Sequence, residues 1–177
     1  AVDLVQPFLD ALEARAGERG LADVIETRCA DMGALGLAAE SLDLIWSEGA
    51  AYFLGFRTAL ETWRPWLKPG GALVVTECVW LTDHPPARVR DFWAREYPAM
   101  RTRAEAEAEA VEARFTILES GVLPPACWDA YYADVRAALA RPEHAGLPEA
   151  FRQEMAEEMA LWESAEGSYG YGVFVLK

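Results

Sequence analysis

The side chains most able to do chemistry stand where short apolar runs stop. Trp46-Ser47-Glu48-Gly49 follows the run Leu42, Leu44, Ile45, and Thr76-Glu77 follows Leu73, Val74, Val75. Asp3 ends the short stretch from Ala1, and Asp31 follows the stretch Val24 to Cys29. Paired carboxylates can take and return protons; if Glu48 and Glu77 face one pocket, their repulsion raises one of the two pKa values. The same pair would also suit a cationic ligand. Glu48 is the stronger candidate for a base or for a carboxylate that orients a substrate, and a rim or loop-capping role is its plain alternative. Glu77 carries the same two readings.

The elements around these residues follow from spacing. Phe56, Leu60, Trp63 and Leu67 recur on one helical face, and Lys68-Pro69-Gly70-Gly71 stops that helix. Strand, helix, strand at this distance is a right-handed βαβ unit with parallel strands. Ligands of such sheets sit beyond the carboxyl ends of the strands, where both polar clusters fall. Upstream, Pro7, Phe8, Leu9 and Leu12 begin a helix closed by Gly17 and Gly20, and Val24–Cys29 reads as a strand. The order strand end, helix, strand, loop, strand, helix, strand is half or more of a doubly wound sheet, with open edges that lead us to expect strands before residue 1.

Downstream, Val79 to Pro86 reads as an aromatic, proline-containing loop and Ala87 to Pro98 as a short helix. Arg101 to Ala113 is a helix whose Glu105, Glu107, Glu109 and Glu112 form a solvated face. Phe115 to Leu118 is a strand. Two further helices, from Pro124 to about Arg141 and from Pro148 to Glu163, precede a final strand, Tyr169 to Leu176, expected to pair antiparallel because no helix follows it. The fold class is therefore α/β: a Rossmann-like, mostly parallel sheet with an antiparallel last strand. The whole chain, residues 1–177, forms one domain with a helical lid over residues 123–166.

Composition narrows the function. The chain has 177 residues, 53% of them hydrophobic, and a net charge of −13 from 16 basic and 29 acidic side chains. That balance works against nucleic acid and anionic membrane surfaces as partners. No apolar run approaches the ~20 residues of a membrane helix, and no secretory signal opens the chain. Cys29, Cys78 and Cys127 are an odd, widely spaced set that reads as reduced thiols in a cytoplasm, without metal-site spacing.

Asp3, Asp31-Met32, LDLIWSEGA (residues 42–50) and LKPGGALVVTE (67–77) together resemble the class I S-adenosylmethionine-dependent methyltransferases. The nearest flavour is the small-molecule group similar to ubiquinone and menaquinone biosynthesis enzymes. The resemblance covers residues 1 to about 80. The family's amino-terminal GxGxG turn does not occur here; Gly167, Gly170 and Gly172 lie in the wrong context.

The resemblance implies S-adenosylmethionine as cofactor, with Asp3 accepting from the ribose hydroxyls and Leu4 packing on the adenine. Asp31 would accept from the adenine amino group and the Met32 N–H would meet the ring. Trp46 and Ser47 would line the methionine and sulfonium end, with Glu48. Each of these has a plainer reading: Asp3 and Asp31 as turn or cap residues, Leu4 and Trp46 as core. A small-molecule methyl acceptor would lie under the aromatic lid, with Tyr52, Glu77, Trp80, Trp128 and Tyr131 as its contacts. Tyr131 and Tyr132 diverge on a helix, so at most one of them points inward. Two other functions compete: a nicotinamide-dependent oxidoreductase and a non-catalytic binding domain of the same fold. A reversed last strand favours methyl transfer over the oxidoreductase.

Overall fold

The computed structural model describes residues 1–177. Seven strands and six helices alternate: β1 (Val2–Asp3), α1 (Gln6–Glu18), β2 (Arg28–Cys29), β3 (Leu42–Ser47), α2 (Phe56–Trp63), β4 (Leu67–Trp80), α3 (Ala87–Glu96), β5 (Arg101–Thr102), α4 (Arg103–Glu112), β6 (Ile117–Val122), α5 (Pro125–Leu139), α6 (Glu149–Glu163) and β7 (Tyr169–Leu176). The main sheet has the order β3-β4-β7-β6, with β5 added to the end of β4. β3 and β4 are parallel, and β7 runs antiparallel between β4 and β6. β1 and β2 pair only with each other, so one edge of β1 and one edge of β3 are left without strand partners. This is the expected mixed sheet with a reversed last strand.

The two faces of the sheet are covered differently. On one, Phe56, Ala59, Leu60 and Trp63 of α2 and Ala106 and Ala110 of α4 bury against Leu73, Val75, Val79, Phe174 and Leu176. On the other, α3, α5 and α6 supply Phe92, Trp128, Tyr132 and Leu161 to a second cluster with Cys78 and Tyr169. The two-residue period of β4 and β7 sorts their side chains between these layers. No helix is long and apolar enough to cross a membrane.

Several boundaries differ from the sequence reading. Val24 and Ile25 donate back to the Leu21 carbonyl at 3.1 and 3.2 Å, so that stretch is a turn and the strand shrinks to Arg28–Cys29. Leu67 does not continue α2; it opens β4 and pairs with Leu42. The Lys68-Pro69-Gly70-Gly71 segment enters the sheet at a register shift, with Gly70 at φ +87°. A Cβ on Gly71 would lie 3.0 Å from the Leu42 carbonyl oxygen, so the backbones meet there only because glycine has none. The strand expected at Phe115–Leu118 lies at Ile117–Val122, after Arg114 turns the chain at φ +67°. Glu109, expected in solvent, turns inward to Arg101 Nε at 3.1 Å.

Candidate active site

A cavity of about 1060 Å³ lies on the face of the sheet that α3, α5 and α6 cover. Val74 of β4 and Val173 and Val175 of β7 form its apolar floor. Towards the carboxyl end of β4 the wall becomes polar and aromatic, with Trp46, Glu48, Gly49 and Tyr52 from β3 and the turn after it. Trp93, Glu96 and Tyr97 reach in from α3 and the residue beyond it, and α5 and α6 close the space with Trp128, Tyr131, Glu154 and Glu158.

The mouth of β3 is held by a specific bond. The Gly49 N–H donates to Thr76 Oγ1 at 2.8 Å, tying the turn after β3 to β4. Gly49 has φ +55°, and a Cβ there would come within 3.1 Å of the Tyr171 hydroxyl. Glycine lets this turn lie against Tyr171, itself a wall residue.

α5 stacks on α6 and on the sheet through aromatic rings. Trp128 lies between Trp162, at 5.0 Å and 18°, and Tyr171, at 4.9 Å and 16°. Its indole N–H has no acceptor in the chain, nor has that of Trp93. Tyr132 is buried in this cluster and donates to Glu158 Oε1 at 2.8 Å, whereas its neighbour Tyr131 faces the cavity. Burial raises the Glu158 pKa above the usual carboxylate range; the Tyr132 bond opposes this, and Glu154 and Glu96 add to it.

Beneath Tyr97 lies a buried charged group. The Tyr97 hydroxyl donates to Glu77 Oε1, and Arg101 Nη1 approaches the same oxygen to 3.3 Å. Glu77 is 1% exposed, and burial pushes its pKa up to about 7 against the pull of Tyr97 and Arg101. The cause is desolvation, with Glu109 adding to it, and not the Glu48 carboxylate that the strand ends suggested.

Of the residues singled out in the sequence, Trp46, Glu48, Tyr52, Trp128 and Tyr131 meet around this cavity. Glu77 and Trp80 do not line it: Glu77 is sealed behind Tyr97, and Trp80 packs against the second core cluster. Alternation along β4 explains Glu77, because Val74, Thr76 and Cys78 share the cavity face and Val75, Glu77 and Val79 the other. Ser47 lies beside the cavity wall with its hydroxyl buried and unpartnered.

Asp3, Leu4, Asp31 and Met32 lie outside the cavity lining, at the ends of the β1–β2 ribbon. Asp3 Oδ1 accepts the Val5 N–H at 2.8 Å, and Asp31 Oδ1 accepts the Gly33 N–H at 2.7 Å. Each carboxylate therefore makes the local turn bond that its plainer reading implied, and keeps its second oxygen open. The Met32 carbonyl accepts from Trp63 Nε1 at 3.0 Å, while the Met32 N–H donates to nothing in the chain. An open carboxylate oxygen beside a free N–H fits the amino group and ring nitrogen of an adenine, and Asp3 keeps an oxygen for a sugar hydroxyl. Leu4 and Trp46, 71% and 63% exposed, leave apolar surface free for the flat parts of such a ligand.

The sequence reading missed Tyr97, Glu96, Glu154, Glu158 and Tyr171 as cavity residues. Only Tyr171 carried a usable signal, since strand alternation places it with Val173 and Val175.

Residues 1–75 match the profile of the family described as methyltransferase domain. No curated protein sequence matches the chain. Among solved structures, an S-adenosylmethionine-dependent methyltransferase from Geobacter sulfurreducens, in complex with S-adenosyl-L-homocysteine, is 23% identical. It aligns over 99% of this chain and 73% of its own, with TM-score 0.77. The geranyl diphosphate C-methyltransferase of Streptomyces coelicolor A3(2), in complex with Mg2+, geranyl diphosphate and S-adenosyl-L-homocysteine, is 17% identical over 99% of this chain and 62% of its own, with TM-score 0.68. The (4+2)-cyclase SpnF is 20% identical over 99% of this chain and 65% of its own, with TM-score 0.80. The chain thus spans about two thirds of the length of the structures it resembles.

Proposed function

Because this chain has the fold of the class I S-adenosylmethionine-dependent methyltransferases and its residues 1–75 match a methyltransferase domain, we propose that the protein transfers the methyl group of S-adenosylmethionine to a small-molecule acceptor held in the lid cavity. One observation carries this reading. The turn after β3, where the methionine end of such a cofactor belongs, opens into the same cavity that the aromatic lid encloses. The reversed β7 favours methyl transfer over nicotinamide chemistry.

When bound, S-adenosylmethionine supplies an electrophilic methyl carbon on a sulfonium. The chain's own task is to hold an acceptor in line with that carbon, a positioning effect worth up to ~7–11 kcal/mol in favourable cases. Asp3, Asp31 and the Met32 N–H would grip the nucleoside, with Leu4 against the adenine and Trp46, Ser47 and Glu48 at the methionine end. The Thr76–Gly49 bond keeps Glu48 at the rim, where a carboxylate can take a proton from an acceptor that must lose one. Tyr52, Trp128 and Tyr131 would shape the acceptor space and exclude water. Glu77 enters this picture through Tyr97, whose hydroxyl it holds in the cavity wall.

Calorimetry of the full-length protein with S-adenosylmethionine and S-adenosylhomocysteine tests the reading. Micromolar binding, lost in Asp31→Ala and in Asp3→Ala, supports it. Absence of heat with both compounds removes it.

A further inference from the structure

We propose that the acceptor is an apolar amine that binds as its ammonium ion and gives a proton to the rim carboxylate Glu48 before the freed nitrogen lone pair takes the methyl group, with S-adenosylhomocysteine as the leaving group. The inference rests on the reading of the lid cavity as the acceptor site.

Four carboxylates line the cavity, those of Glu48, Glu96, Glu154 and Glu158, and no lysine, arginine or histidine does. Only Glu96 has a basic neighbour, Arg95 at 3.6 Å, and Arg95 also leans towards Glu157. Glu158 is held by a single neutral donor, the Tyr132 hydroxyl. The partly buried Arg101 is committed to Glu77 and Glu109 and lies over the Phe56 ring at 5.4 Å. Negative charge in this partly apolar space is therefore uncompensated within the chain. The upward push that Glu154 and Glu96 give the Glu158 pKa is the same fact in another form, and a bound cation would reverse it.

The cofactor's own sulfonium does not account for these groups. Three of the four carboxylates stand on α3 and α6, whereas the proposed cofactor contacts stand at the ends of β1, β2 and β3. Around the lid carboxylates stand the rings of Tyr52, Tyr97, Trp128 and Tyr131. Burial, helped by Glu158 and by Tyr131, raises the Tyr52 pKa, so these groups sense one another across the mouth. Aromatic faces beside unpaired carboxylates are the surroundings an ammonium seeks, because ring quadrupoles and carboxylates both attract it while its apolar part stays dry. The same wall repels phosphate and carboxylate acceptors.

The test is calorimetry on the full-length protein near pH 7.5 with three probes of one shape: phenylpropylamine, phenylpropanol and phenylpropanoate. Titrations are run with and without S-adenosylhomocysteine. The amine is expected to bind about 10-fold tighter than the alcohol, and the carboxylate not to bind. The double variant Glu154→Gln, Glu158→Gln, which can keep the Tyr132 bond through its amide oxygen, should abolish the amine's advantage and leave S-adenosylhomocysteine affinity unchanged. If the amine binds no tighter than the alcohol, or the carboxylate binds as well, the inference is overturned even where S-adenosylhomocysteine binds. If S-adenosylhomocysteine fails to bind, the methyl-donor reading falls, while the ratio of amine to alcohol still decides this one.

Discussion

Tyr97 and Glu77 form one hydrogen-bonded pair across the wall of the cavity: the phenol lines the space, and the carboxyl group that accepts its hydrogen bond is 1% exposed behind it. The second oxygen, Oε2, has no partner. Such a carboxylate holds its proton more firmly in the fold than in the unfolded chain, because burial penalises its charge.

That sets the sign of a pH effect. The folded pKa of Glu77 is raised from 4.5 to about 7. Its contribution to stability is fully present below the unfolded value and is lost as pH rises through the folded one. Between pH 4.5 and pH 8 the wild-type protein should lose roughly 2–4 kcal/mol more than Glu77→Gln from this group. Urea midpoints at the two pH values measure it. Parallel losses in both proteins would mean that Glu77 titrates like a surface carboxylate.

Trp63 lies on α2, yet its indole N–H holds the Met32 carbonyl at 3.0 Å. Trp63→Phe keeps most of the packing and removes the bond, at about 1 kcal/mol in stability. S-adenosylhomocysteine affinity should fall several-fold at the same time, since the loop carrying Asp31 is no longer tied down. A drop in Tm with unchanged affinity would separate that loop from cofactor binding.

The turn after β3 offers two independent variants. Gly49→Ala places a methyl 3.1 Å from the Tyr171 hydroxyl at a φ of +55°, and is expected to cost at least about 1 kcal/mol. Thr76→Val leaves the Gly49 N–H without its acceptor, for about 1–3 kcal/mol. Both should lower methyl transfer with any acceptor, through displacement of Glu48 and Tyr171. Full activity in both variants would show that the turn plays no part in the chemistry.

Trp128 is the wedge between α6 and the sheet. Trp128→Ala should destabilise by about 3–5 kcal/mol, the usual range for a buried large aromatic. Trp128→Phe should keep the fold and lower affinity for the acceptor more than for S-adenosylhomocysteine. Near-ultraviolet circular dichroism follows the stacked rings, and calorimetry the two affinities. Equal losses for the two ligands would mean that Trp128 serves the whole fold and not the acceptor space.

Local sequence determined much of this protein. The apolar spacing of Phe56, Leu60 and Trp63 marks one buried helix face, and the runs up to Ile45 and Val75 mark two adjacent parallel strands, although β4 continues to Trp80 into the stretch read as a loop. The final strand reverses between β4 and β6. These features are legible because helix and strand periods repeat within a few residues. Alternation could also have placed Thr76, and not Glu77, on the Val74 face. What only the tertiary structure decided is which distant side chains share a wall. Tyr97 follows α3, whereas Glu154 and Glu158 stand on α6 far along the chain, and nothing near them in sequence marks them as cavity residues. Glu109 looked like one more solvated charge in an Ala-Glu repeat until Arg101 faced it. Periodicity names the face a residue lies on; the partner of that face is set by long-range packing, and with it the charge and shape of the site.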